Sequence, residues 1–113
     1  MLELITAIVK PHKLDDIRTA LLANGVEGMT VTEVSGFGRQ RGKTENFRGS
    51  EYTIDFIPKV KVEVVVETSD LDKVIELIAS SARTGKIGDG KIWATDLDRL
   101  MRIRTGEQGD TAV

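Results

Sequence analysis

The sequence predicts an α+β fold in the order strand, helix, strand, strand, helix, strand, with one antiparallel sheet and two helices on one of its faces. Three observations predict it. Val60, Val62, Val64 and Val66 alternate against Lys59, Lys61 and Glu63 in a period of two, which marks a strand. Two segments, Lys13 to Ala23 and Leu71 to Ala82, carry apolar stripes at helical spacing. The second half then repeats the element order of the first.

The elements follow in turn. Leu2 to Val9 is β-rich and is closed by Lys10-Pro11, because proline lacks the N–H that continues a ladder. Leu14, Ile17, Leu21 and Leu22 fall on one helical stripe, Asp15 and Asp16 favour the positive helix end, and Gly25 supplies a C-cap. Met29 to Val34 is rich in β-branched residues and predicts a second strand running into Gly36-Phe37-Gly38. Gly38 to Glu51 is polar and glycine-punctuated, with neither stripe nor alternation, and predicts a long loop between strands 2 and 3. A loop of this length in a compact domain points to function. After the Val60–Val66 strand, Ser69 is the expected N-cap of the second helix, with Asp72 three residues on as a weak capping-box acid. Thr84 to Lys91 is glycine-rich, Ile92 to Thr95 predicts the fourth main strand, and Met101 to Arg104 alternates apolar residues with arginine as a strand would. The order βαββαβ is that of a ferredoxin-like sandwich. Its second sheet face would be open in a monomer, leaving Val65 and Trp93 to be covered, so oligomerisation is expected.

Composition narrows the function. At 113 residues the chain has room for one domain and no separate catalytic unit. A net charge of -2 lacks the basic excess that general nucleic-acid binding exploits. The absence of cysteine removes disulfides, zinc-thiolate sites and thiol nucleophiles, and favours the cytoplasm. MLELITAIVKPHK begins without a positive region and has only a short apolar run, so it reads as neither signal peptide nor membrane span. One histidine, His12 in a turn, and no serine paired with a base leave little for catalysis. An RNA-recognition module would carry stacking aromatics where this chain has Val62, Val64 and Val66.

Three stretches suit a polyphosphate: Gly36-Phe37-Gly38, the run TGKIGDGK from Thr84 to Lys91, and Arg102 with Arg104. Glycines let backbone N–H groups approach an anion, lysine adds a point charge, and arginines at i and i+2 on a strand would reach one phosphate chain. TGKIGDGK lacks the spacing of a Walker A sequence. Taken singly, Gly88-Asp89-Gly90 fits a turn equally well, and the arginines fit a solvated face. Trp93 and Phe56 read as packing residues.

IVKPHKLDDIRTAL, GMTVTEVSGFGRQRGKTENFRGSEYTIDFIPKVKVEVVV and ARTGKIGDGKIW followed by RIRTGE together closely resemble the PII nitrogen regulatory proteins, over essentially the whole chain. The resemblance implies one PII-type domain over residues 1–113, with a long effector loop at about 38–56, a glycine-rich nucleotide loop at about 83–91 and a C-terminal loop at about 103–113. It implies a homotrimer with an ATP or ADP site in each cleft between neighbours. Gly36, Gly38, Arg39, Gln40, Val65, Gly88, Asp89, Gly90 and Lys91 would come from one subunit, and Gly28, Met29, Thr30, Arg102 and Arg104 from the next. It further implies that 2-oxoglutarate binds with Mg-ATP at the base of the loop, with Gln40 on Mg²⁺, Lys59 on the distal carboxylate and backbone N–H groups around Gln40, Arg41 and Gly42.

On the same resemblance the protein is a regulator rather than an enzyme, its loop shifting between conformations that suit different partners. Such partners are an ammonium channel, an enzyme that modifies glutamine synthetase, a nitrogen sensor kinase or N-acetylglutamate kinase. Tyr52 matches a tyrosine that is uridylylated or adenylylated in relatives, and Ser50 a serine that is phosphorylated in some; Phe47 replaces a second loop tyrosine. Two other classes stand beside this reading: a regulatory domain or phosphate-transferring enzyme of similar fold, and a ligand-free structural trimer.

Overall fold

A computed structural model describes residues 1–38, 44–47, 50–53 and 56–113, with the backbone alone at 44–47 and 50–53. Strand β1 (Leu2–Val9) leads through a 3₁₀ turn at Pro11–Lys13 into helix α1 (Leu14–Ala23), followed by β2 (Thr30–Gly36). Strands β3 (Thr44–Phe47) and β4 (Ser50–Thr53) precede the long β5 (Ile57–Glu67). A second 3₁₀ turn at Thr68–Asp70 opens α2 (Leu71–Ala82), and β6 (Lys91–Leu97) completes the main sheet, whose order is β2-β5-β1-β6. Every pairing in it is antiparallel. This is the expected βαββαβ sandwich.

The core follows from the two periodicities. Ile5, Ala7 and Val9 of β1 pair with Val64, Val62 and Val60 of β5, so one sheet face is a continuous apolar surface. Ile17 and Leu21 of α1 and Val74, Ile78 and Ala82 of α2 cover it, joining the same buried cluster. Full burial of each valine, leucine or isoleucine in this set contributes about 1.5–3 kcal/mol, which fixes the register, since a one-residue slip would turn the set to solvent. The alternate residues form the opposite face, where Thr6 lies between Glu63 and Trp93 in the ladder and is 7% exposed, while Trp93 itself is 45% exposed.

Helix ends show one expectation met and one corrected. Gly25, at φ +83°, follows the last turn of α1, and the N–H groups of Asn24 and Val26 both return to the Leu21 carbonyl. Ser69, by contrast, does not cap α2. The 3₁₀ turn starts the helical path at Thr68, Leu71 N–H donates to the Thr68 carbonyl, and no side chain caps the helix at Asp70. Thr68 N–H is itself taken by the Met1 carbonyl at 2.9 Å, tying the turn to the start of β1.

The long segment expected between the second and third strands of the sheet separates β2 from β5, and its described residues add a short ladder of their own. Within it Thr44↔Thr53, Glu45↔Tyr52, Asn46↔Glu51 and Phe47↔Ser50 pair as a two-stranded antiparallel ladder. Neither TENF nor SEYT carries a run of alternating apolar and polar residues long enough to mark a strand. Among the described residues no helix is long and apolar enough to cross a membrane.

Candidate functional site

Where β2 ends, β5 begins and β6 begins, the chain leaves an open cleft of about 880 Å³. Its walls are Gly36, Phe37 and Gly38, then Ile57 and Lys59, Ile8 of β1, and the loop Lys86 to Lys91 with Trp93 beyond. The sequence-predicted residues Gly36, Gly38, Lys59, Gly88, Asp89, Gly90 and Lys91 are thus brought together from three separate parts of the chain. Phe37 and Phe56 meet edge to face at 5.7 Å between ring centroids, beside the cleft.

The glycine loop is tightly prescribed. Gly88 and Gly90 have φ of +97° and +98°. A Cβ on Gly90 would lie 1.7 Å from the Ile8 carbonyl oxygen, so the loop backbone packs on β1 with no room for any side chain. Asp89 closes the loop from within: its carboxylate accepts the Thr84 and Gly85 N–H groups at 2.9 Å each, and also the Thr84 hydroxyl. Lys10 Nζ stands 3.3 Å from the same carboxylate and donates to Thr84 Oγ1 at 3.2 Å. The Thr84 hydroxyl bond above all, with these N–H donors and Lys10, holds the Asp89 carboxyl well below the usual carboxylate range.

Lys59 Nζ donates to the Gly88 carbonyl at 2.6 Å. Partial burial pushes its ammonium pKa down, the charge of Lys10 adds to that, and Asp89 opposes it. With Lys59, Lys86 and Lys91 on its walls and glycine backbone at its end, the cleft has the chemistry of an anion site.

A second depression, of about 670 Å³, lies towards the other end of β5. It holds Gly28, Met29 and Thr30 together with Glu63 and Val65, flanked by Asp110 and Val113. Val65, which the resemblance groups with the glycine loop, therefore sits beside Gly28–Thr30, six positions along β5 from Lys59 and about 20 Å away.

Arg102 and Arg104 lie in neither depression, and the expected strand is absent there. Met101 forms an isolated bridge with Gln108, Arg102 N–H donates to the Glu107 carbonyl and Gly106 N–H to the Arg102 carbonyl, so the chain turns back on itself. Gly106, at φ +72°, permits that reversal. The Arg102 guanidinium lies 3.3 Å from Glu107 Oε1 and donates to the Val113 carbonyl at 3.1 Å. Arginines at i and i+2 share a face only on a strand, so that inference does not hold here.

Arg39, Gln40, Arg41 and Gly42 fall outside the described residues. Ser50 and Tyr52 fall on β4, opposite Phe47 and Glu45. His12 is exposed in its 3₁₀ turn, and no group of His, Asp and Glu able to hold a metal occurs among the described residues. Sequence reasoning missed Lys10 and Thr84. Thr84 had a local signal, a threonine opening the glycine run with an aspartate near its end; Lys10 had none, being 74 positions from Thr84.

The comparisons agree on one family. The chain matches the family model "Nitrogen regulatory protein P-II" over residues 2–107. It is 58% identical over 109 residues to Nitrogen regulatory protein P-II of Pasteurella multocida (strain Pm70), covering 96% of this chain and 97% of the relative. The figures for Nitrogen regulatory protein P-II 1 of Escherichia coli (strain K12) are the same. Among solved structures, that of Arabidopsis thaliana PII bound to citrate matches with a TM-score of 0.82 at 38% identity, covering 99% of this chain and 92% of that one. The chain therefore belongs to the nitrogen regulatory protein P-II family and is a non-enzymatic transducer of nitrogen signals.

Proposed function

We propose that the protein senses carbon, nitrogen and energy state by binding ATP or ADP and, together with Mg-ATP, 2-oxoglutarate, in clefts between the subunits of a cytoplasmic homotrimer. The observation that carries this reading is the cleft that gathers Gly36, Gly38, Lys59 and the Gly88–Lys91 loop, since backbone glycines and lysines are what a polyphosphate needs. Gly28, Met29, Thr30 and Val65 lie in a separate depression of the same chain, and an uncovered sheet face carries Trp93. Both features support completion of each nucleotide site by a neighbouring copy, which would also supply Arg102 and Arg104.

Lys59 is the natural holder of the distal carboxylate of 2-oxoglutarate, being a cation on the cleft wall beside the root of the long loop. The Arabidopsis relative was solved with citrate, which supports a carboxylate ligand in this family. Mg²⁺ prefers oxygen ligands supplied largely by phosphates, so Gln40 with the nucleotide and 2-oxoglutarate would suffice without a carboxylate cage. Ligand binding at the loop base would redistribute loop conformations and so select partners, of the kinds named for the family: an ammonium channel, a glutamine synthetase-modifying enzyme, a nitrogen sensor kinase or N-acetylglutamate kinase. Nucleotidylation at Tyr52, or phosphorylation at Ser50, would act on the same loop.

Calorimetric titration with 2-oxoglutarate in Mg-ATP and again in Mg-ADP tests the reading, alongside Lys59→Ala and Gln40→Ala. Binding in Mg-ATP alone, lost in both variants, is the expected result. Absence of binding in both nucleotides would overturn the 2-oxoglutarate assignment, and steady ATP turnover would favour a phosphate-transferring enzyme instead.

A further inference from the structure

Asp89 poses a problem that the nucleotide reading leaves open: a carboxylate stands in the middle of a loop that should receive a polyanion. At contact distances a like charge would oppose the ligand, unless the carboxylate is neutralised and turned to another task. The contacts of Asp89 supply both. Its oxygens are committed to the Thr84 and Gly85 N–H groups and the Thr84 hydroxyl, and Lys10 Nζ lies 3.3 Å away. The side chains of the pair are 12% and 25% exposed for Lys10 and Asp89, so the pairing is much less screened than one on the open surface.

Lys10 follows β1 directly, two residues after Ile8, whose carbonyl packs against Gly90. The loop is thus fastened to the end of β1 at two adjacent points, one steric and one ionic. Lys59 holds it from a third direction through the Gly88 carbonyl. We propose that Lys10 is a positioning residue for the nucleotide: acting through Asp89, it neutralises the loop's own carboxylate and fixes the Gly88–Gly90 backbone before the ligand arrives. This rests on the nucleotide reading above. The gain is preorganisation, because a loop already in its binding conformation loses less freedom on association.

ADP titration of the intact protein by calorimetry tests this, with Lys10→Met, Lys10→Arg, Asp89→Asn and the Lys10→Met/Asp89→Asn double variant. Lys10→Met should raise Kd about tenfold, the scale of one lost charge-assisted hydrogen bond, and Lys10→Arg should restore most of it. The decisive comparison is the cycle. If Lys10 acts through Asp89, removing it in the Asp89→Asn background costs at most about twofold. If Lys10 instead attracts the phosphates by its own charge, the loss in that background equals or exceeds the loss in the parent, and the proposal is overturned. Unchanged affinity in Lys10→Met, with the parent binding ADP normally, overturns it as well. Failure of the parent to bind ADP or ATP would defeat the nucleotide reading itself, and the inference with it. Should Lys10→Met not fold, Lys10→Gln in the same cycle gives the same discrimination.

Discussion

The glycine loop at Thr84–Lys91 and the C-terminal segment carrying Arg102 and Arg104 were both singled out in the sequence as suited to phosphate. They are built differently. The loop is fastened by contacts between residues distant in the chain, Lys10 to Thr84 and Asp89, Lys59 to Gly88, and the Gly90 backbone to Ile8. The C-terminal turn is held by exposed, mostly local contacts, Arg102 to Glu107 and Arg99 to Gln108, with Ile103 96% exposed between Arg102 and Arg104. Residue type indicates which segments can meet an anion; anchorage to the sheet decides which of them holds a shape without one.

The sharpest way to break this comparison is to place the same methyl group in both segments. Gly90→Ala drives a Cβ into the Ile8 carbonyl at a positive φ, so either β1 or the loop must move. A loss of about 2–4 kcal/mol of unfolding free energy is expected, on the scale of a core overpacking with backbone strain added. Gly106→Ala, also at positive φ but with open space around it, should cost about 1 kcal/mol. Denaturant titration of both variants checks the pair. Equal losses would mean that the loop is no more tightly seated than the turn.

A second test uses acid. The folded-state pKa of Asp89 lies below its unfolded value, so its ionised form contributes stability that is complete above about pH 4, the unfolded carboxylate value, and is lost as pH falls through the folded value. The stability difference between the parent and Asp89→Asn should therefore stay constant from pH 8 to about pH 5 and shrink below about pH 4. A difference that instead grew as pH fell would reverse the sign of the linkage and remove Asp89 as the loop's internal brace.

The two regions also divide what sequence could disclose. The valine alternation of β5, the stripes of both helices and the Gly25 cap are local patterns whose period or backbone demand survives in the folded chain, so the sheet and its helices were legible. Gly88 and Gly90 were legible as permissive backbone; the reason Gly90 must be glycine was not, because the obstructing oxygen belongs to β1. Lys10 was invisible for the same reason: its partners meet it only once β1 and the chain after α2 are neighbours. Ser69 and the 101–104 strand failed in the opposite way. Local propensity there was real, but the Met1 carbonyl, the 3₁₀ turn and the Gly106 reversal gave the backbone other partners.

The smallest expected effect lies at Arg102, and it separates a structural role from a ligand role. The ion pair with Glu107 is exposed on both sides, so Arg102→Ala should change unfolding free energy by only about 0.5 kcal/mol without ligand. If Arg102 instead serves the nucleotide of a neighbouring subunit, the same variant should weaken ADP binding about tenfold or more, the cost of losing a guanidinium on phosphate. Glu107→Gln divides the alternatives further, because Glu107 competes with phosphate for that guanidinium. Its removal should leave stability nearly unchanged and tighten ADP binding about two- to threefold. Weaker binding in Glu107→Gln would mean that the turn must keep its present fold to serve the site, and the C-terminal segment would then belong with the glycine loop as preformed rather than adaptable.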